Sequence, residues 1–165
     1  MIHDVDASLR TLLEAPFDGD GVDVVFDAPT KDWASRRNSP TIDAYLYDIR
    51  EDVRRRENGR IDLRDDDGRI VRRESPPRWF RLSYLITAWT QRPEDEHRLL
   101  ARVLEELLQF DDVPAAALAG SLAGISTRIP LTIGMPPSED RSLSDIWSAL
   151  GGELKPSLDV SVVAP

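Results

Sequence analysis

The run RWFRLSYLITAWTQRPEDEHRLL, Arg78 to Leu100, changes its periodicity midway, and that change restricts the fold more than any other feature of the chain. Up to Thr90 the residues alternate. Leu82, Tyr84, Ile86 and Ala88 fall on one side of an extended segment, with Arg81, Ser83, Leu85, Thr87 and Trp89 on the other. So apolar a segment, Arg78 to Thr90, is expected to be a central strand. From Pro93 to Phe110 the spacing becomes helical, with Leu99, Leu100, Val103, Leu104, Leu107 and Leu108 in one broad apolar stripe.

Around this pair the other elements fall into place. Val5, Leu9, Leu12 and Leu13 share a helical face, with Asp4 or Asp6 as candidate N-cap, and Pro16 with the DGDG run closes that helix. VDVVFD (22–27) is a β-branched strand, while Thr30 to Pro40 shows neither period and reads as a loop anchored by Trp33. TIDAYLYDIRED (41–52) alternates and reads as a half-buried strand. Asn58-Gly59 then suggests a type I′ hairpin turn between polar arms, and Asp65 to Gly68 offers a second turn. Pro114 to Leu118 fits one helical turn, and Ser126 to Gly134 a strand despite Pro130. Pro136-Pro137 is a break, Ser142 to Leu150 a short helix stopped by Gly151-Gly152, and SLDVSVVAP a closing strand. Strands and helices mix without a βαβ rhythm. The expected class is α+β, one domain over residues 1–165, with a mixed, largely antiparallel sheet flanked by helices. A charged hairpin at about 53–73 should project from it.

Composition narrows function. The chain has 165 residues and no cysteine, so a disulfide framework, a thiolate zinc site and a cysteine nucleophile are excluded. No apolar run approaches the ~18 residues of a membrane span, and MIHDVDASLR lacks the pattern of a secretory signal. A cytoplasmic location without membrane insertion is the expectation. A net charge of −9 argues against generic nucleic-acid binding.

The Glu94, Asp95, Glu96, His97 run invites a metal or acid/base reading. Glu94 and His97 are helical neighbours, but His3 is the only other histidine, and no paired-ligand spacing appears. Pro93 followed by acids is what the first turn of a helix prefers, so helix initiation is the leading reading. The alternatives are a small hydrolytic or metal-dependent enzyme using Glu94 or Asp95 with His97, and a nucleic-acid adaptor. LRDDDGRI is a polar turn and not a calcium loop, because the twelfth position from Asp65 is Pro76. No Walker A, Gly-x-Gly-x-x-Gly or Gly-x-Ser-x-Gly motif occurs, and GSLAGIS has no lysine to make a phosphate cradle.

The outstanding feature is the arginine ribbon: Arg54, Arg55, Arg56, Arg60, Arg64, Arg69, Arg72 and Arg73. Between Arg50 and Arg81 eleven arginines face eight acids, in a chain that is acidic elsewhere. Two readings lead. Charge on an edge strand prevents uncontrolled pairing, or the arginines meet an acidic surface of another copy or of the tube, for which the guanidinium fork is suited. Nucleic acid is a third reading, which the interleaved Glu57, Asp62 and Asp65 to Asp67 disfavour by repelling phosphate.

Taken together, IHDVDASLRTLL, VVFDAP, SPTIDAYLYDIRED, PPRWFRLSYLITAWTQRPEDEHRLLARVLEELL, PLTIG and LSDIWSALGGELKPSLDVSVVAP resemble the N-terminal domain family of the tube/sheath terminators, the cap proteins of phage-tail-like contractile injection systems. The resemblance runs nearly end to end. It implies a tail-terminator-type α/β fold and a homohexameric ring that ends the inner tube away from the baseplate and tethers the sheath. The implied partners are other copies, the inner tube protein and the sheath protein, in a cytoplasmic particle that can be released. It brings no catalytic residue and no cofactor, so a structural protein is expected and not an enzyme.

Overall fold

The computed structural model describes residues 1–134 and 142–165. Its helices are α1 (Ile2–Glu14), α2 (Lys31–Ala34), α3 (Pro93–Leu107) and α4 (Leu143–Ala149). Its strands are β1 (Asp23–Val25), β2 (Thr41–Glu51), β3 (Ile61–Arg64), β4 (Ile70–Glu74), β5 (Phe80–Trp89), β6 (Leu131–Ile133) and β7 (Ser157–Ala164). Five strands form one sheet in the order β1-β2-β5-β7-β6, with β5 at its centre as its composition requires. Among the described residues only the β1–β2 pairing is parallel. The class is α+β, and β3 and β4 form a separate ribbon.

One face of the sheet carries Ile42, Ala44, Leu82, Tyr84, Ile86, Val160 and Val162, all buried. Val5, Leu9, Leu12 and Leu13 of α1 join them in the core, with Leu99, Leu100, Val103 and Leu107 of α3. At about 25 cal/mol per Å² of apolar area removed from water, this layer is the main source of stability. The α3 stripe is narrower than its leucines suggest: Leu104 is half-buried and Leu108, one residue past the helix, is exposed.

The opposite face corrects the half-buried reading of β2. Thr41 to Ala44 are buried on both sides, because two short helices cover the polar face. Trp33 of α2 and Trp147 of α4 flank Trp89, at ring-centroid separations of 5.3 and 6.4 Å. Asp43 and Thr87, paired across β2 and β5, lie beneath this aromatic layer. The segment 30–40 read as a loop therefore holds a helical turn. Thr30 caps it by accepting from the Trp33 amide at 3.3 Å, and Trp33 is the buried anchor expected.

Other boundaries shift for local reasons. The first helix starts at Ile2, so Asp4 lies inside it and is no N-cap. Asp4 instead accepts from Ser121 at 2.6 Å and pairs with the N-terminal amine at 3.1 Å. Gly120 passes so close that a Cβ there would lie 1.9 Å from the carboxylate. The strand read over 126–134 shortens to β6, since Pro130 offers no N–H; its carbonyl still accepts from Val163 at 3.0 Å. The strand read over 22–27 likewise shortens to β1. A bulge between Leu46 and Asp48 interrupts the β2–β5 register. The Pro136-Pro137 break lies outside the described residues.

Candidate assembly surfaces

The arginine ribbon begins where β2 runs off the sheet. Asp52 holds the exit: its amide donates to the Trp79 carbonyl at 2.8 Å and its carboxylate accepts from the Arg54 amide at 3.3 Å. Val53 to Arg55 then coil into a single 3-10 turn. Arg56 forks onto Glu51, holding that carboxyl below its ordinary range, and Arg78 adds a contact at 3.7 Å. Arg55 lies 4.8 Å from the centre of the Trp79 ring.

The hairpin turn is at Asp65 to Gly68 and not at Asn58-Gly59, which precedes β3. The reason is local chemistry. The Asp65 carboxylate accepts from the amides of Asp67 (3.1 Å) and Arg69 (2.8 Å), and Gly68 supplies the left-handed residue at φ 79°. An arm that must curl at Val53 to Arg55 cannot also pair with Arg60 to Arg64. Across the ribbon Arg73 meets Asp62 at 3.0 Å, Arg72 meets Glu74 at 3.0 Å, and Arg64 donates to the Gly68 carbonyl at 2.8 Å.

Five of the eight predicted arginines thus have partners, in the ribbon or at its base. Arg54, Arg60 and Arg69 have no side-chain partner among the described residues. Every residue from Val53 to Arg73 is exposed, including Val53, Ile61, Leu63, Ile70 and Val71. A two-stranded ribbon is marginal by itself in water, and five exposed aliphatic side chains on it are unusual for a surface without a partner. Sequence reasoning found the arginines and passed over these apolar neighbours, whose alternation is broken by a bulge between Leu63 and Arg64.

The acidic run at 94–97 is placed as helix initiation requires. Pro93 occupies the first turn of α3; Glu94 meets Arg92 at 3.7 Å and Asp95 meets Arg98 at 2.6 Å. Glu96 turns inward. It accepts from Lys155 at 2.6 Å and from the Thr90 amide at 3.2 Å, and the Lys155 ammonium sits 4.0 Å above the Trp89 ring. His97 is exposed on α3, while His3 lies on α1 beside Asp4 at 3.1 Å. Among the described residues no three His, Cys, Asp or Glu side chains are gathered as a metal site would need.

Among the described residues Asp43 is the most strongly perturbed carboxylate. Burial pushes Asp43 up to about 8, and the neighbouring Asp27 adds to that, against a hydrogen bond from the Asp27 amide at 3.0 Å and the charge of Arg37. The cleft of about 620 Å³ nearby does not include Asp43 in its lining. Its three arginines are neutralised in place: Arg37 by Asp27 (3.1 Å), Arg98 by Asp95 (2.6 Å) and Arg102 by Asp20 (2.6 Å).

An α+β domain whose distinctive feature is an exposed ribbon, both cationic and apolar, belongs with domains that act by packing on other chains. The chain is a member of the Pvc16 N-terminal domain family, whose model matches residues 4–165. Two solved structures are similar over the full length. One is the PVC sheath/tube terminator of an extracellular contractile injection system in its extended state, at 25% identity and a TM-score of 0.72, covering 100% of this chain and 56% of that one. The other is the tube-terminating cap of the anti-feeding prophage, at 25% identity and a TM-score of 0.73, covering 100% of this chain and 54% of that one. The chain therefore spans just over half the length of these structures. A comparison with curated proteins gives no match.

Proposed function

We propose that this chain is a structural cap of a contractile injection particle, a single capping domain over residues 1–165. It ends inner-tube growth at the baseplate-distal end and holds the sheath there, as a homohexameric ring and without catalysis or a cofactor. Its partners are further copies of itself, the inner tube protein and the sheath protein. Nucleic acid and membrane are not among them, and the particle is assembled in the cytoplasm. No helix among the described residues is long and apolar enough to cross a membrane.

The observation that carries this reading is the match over the whole chain to a sheath/tube terminator and to a tube-terminating cap. The exposed ribbon supports it from the physical side. A closed ring needs two different, complementary faces on each copy, and the ribbon, with its arginines from Arg54 to Arg73, is suited to be one of them. The test is direct. Inner tube protein polymerised with the purified chain should give shorter tubes, each bearing ring density at one end in electron micrographs. Tubes of unchanged length with no bound chain would overturn the reading. Reversing Arg54, Arg60 and Arg69 to glutamate should remove the ring in native mass spectrometry, since these three have no side-chain partner among the described residues.

A further inference from the structure

The ribbon's counterpart is legible on the same molecule. The last turn of α3 carries Glu105 and Glu106 and no basic residue, although a helix C-terminus already bears about half a negative charge and prefers cations. Asp111 and Asp112 follow directly. Glu106 is bonded to Gln109 at 3.1 Å and Asp112 meets the exposed Arg128 at 3.8 Å. Glu105 and Asp111 have no side-chain partner among the described residues. In the middle of these acids Leu108 is 65% exposed, and Phe110 is only half-buried. Intramolecularly this is an unfavourable arrangement on two counts: like charges gathered at the negative end of a helix, and an aliphatic side chain left in water.

The ribbon has the inverse character, with Arg54, Arg60 and Arg69 unpaired among the described residues and with Val71 64% exposed. The sheet register says where the two surfaces lie. Ile49, Leu82, Val162 and Leu131 form one row straight across β2, β5, β7 and β6. Asp111 is attached to the β6 end of that row, its carbonyl accepting from the Leu131 amide at 2.9 Å. The ribbon springs from the β2 end, two residues past Ile49, at Glu51. Three strand spacings, about 14 Å, separate the two ends. The root of the ribbon and Asp111 therefore stand at the same height on opposite lateral edges of the sheet. Copies placed side by side would bring the ribbon of each to the α3 terminus of the next, and five residues of β4 extend about 17 Å across the gap.

We propose that the ribbon of one copy docks on the acidic, leucine-centred patch of a second copy, Glu105, Leu108 and Asp111, making the repeating heterologous contact of the ring. This rests on the capping reading above. The absence of cysteine makes the test clean. Val71→Cys and Leu108→Cys alter exposed positions outside the core. Each single variant alone should stay uncrosslinked under mild oxidation. The two mixed should give a disulfide-linked dimer, and the double variant a ladder of covalent oligomers on a denaturing gel. Independently, Glu105→Arg with Asp111→Arg should abolish the oligomer, and adding Arg54→Glu, Arg60→Glu and Arg69→Glu to the same chain should restore it. An oligomer seen by light scattering that links only like positions, or forms no 71–108 link, overturns the docking pair and leaves the cap reading standing. A chain that stays monomeric overturns both the pair and self-assembly of the free ring.

Discussion

At the scale of single residues, two buried carboxyl groups do the most. Asp43 titrates near 8 in the fold against an ordinary 3.8, because burial disfavours its ionised form. Its native state therefore holds a proton that the unfolded chain has released over the interval from about 4 to 8. Where the native state binds more protons, stability falls as pH rises. Asp43→Asn removes that dependence while keeping an acceptor for the Asp27 amide. The melting temperature of the variant relative to the parent should climb between pH 5 and 8 and level off above 8; a constant difference across that range would show that burial does not control this carboxyl. Glu96 and Lys155, 2.6 Å apart and mostly buried, clasp the start of α3 to the approach to β7. Removing one partner strands a charge. Lys155→Met should cost about 3 kcal/mol, read as a drop of roughly 6–12 °C in a domain of this size. The double change with Glu96→Leu should lose less than the two single changes summed.

At the scale of elements, what was legible in the sequence followed from how strongly each pattern was enforced. β5 and α3 could be placed because an uninterrupted apolar alternation gives way at Pro93 to a helical stripe, and no other element satisfies both. α2 was hidden, since one turn of four residues has no period to detect and only Thr30 marks it. Asp43 looked solvent-facing on a half-buried strand because nothing local announces that tryptophans from residues 33 and 147 will roof it and Thr87. The Glu96–Lys155 pair joins positions 59 apart and left no local trace. On the candidate surface the arginines were countable, whereas the ribbon's register went to Asp65 over Asn58-Gly59 through carboxylate–amide bonds that only the folded turn reveals. The ribbon is also separable. With every residue from Val53 to Arg73 exposed, replacing residues 57–73 by a short Gly-Ser link should leave the melting temperature within about 1 °C. A loss of several degrees would mean that the ribbon props up the sheet and is not reserved for a partner.

At the scale of the whole molecule, the question is what kind of force closes the proposed ring, and salt separates the candidates. A contact made by apolar side chains alone is strengthened or left unchanged by added salt, because burial is not a charge effect. A contact whose selectivity comes from Arg54, Arg60 and Arg69 against Glu105 and Asp111 is screened as the Debye length contracts from about 10 Å at 0.1 M to about 3 Å at 1 M. Rim ion pairs of this kind contribute up to about 1 kcal/mol each, so the two that Glu105 and Asp111 can make correspond to roughly thirtyfold in affinity at most. Sedimentation of the chain between 0.1 and 1 M sodium chloride should therefore show association weakening by about tenfold to thirtyfold, and not vanishing. The remainder belongs to the apolar centre of the contact. Val71→Asp, which puts a carboxylate opposite Leu108 and its acids, should abolish association even at low salt. An oligomer that tightens as salt is raised would assign the ring to aliphatic packing alone and leave the arginines as a guard against strand pairing.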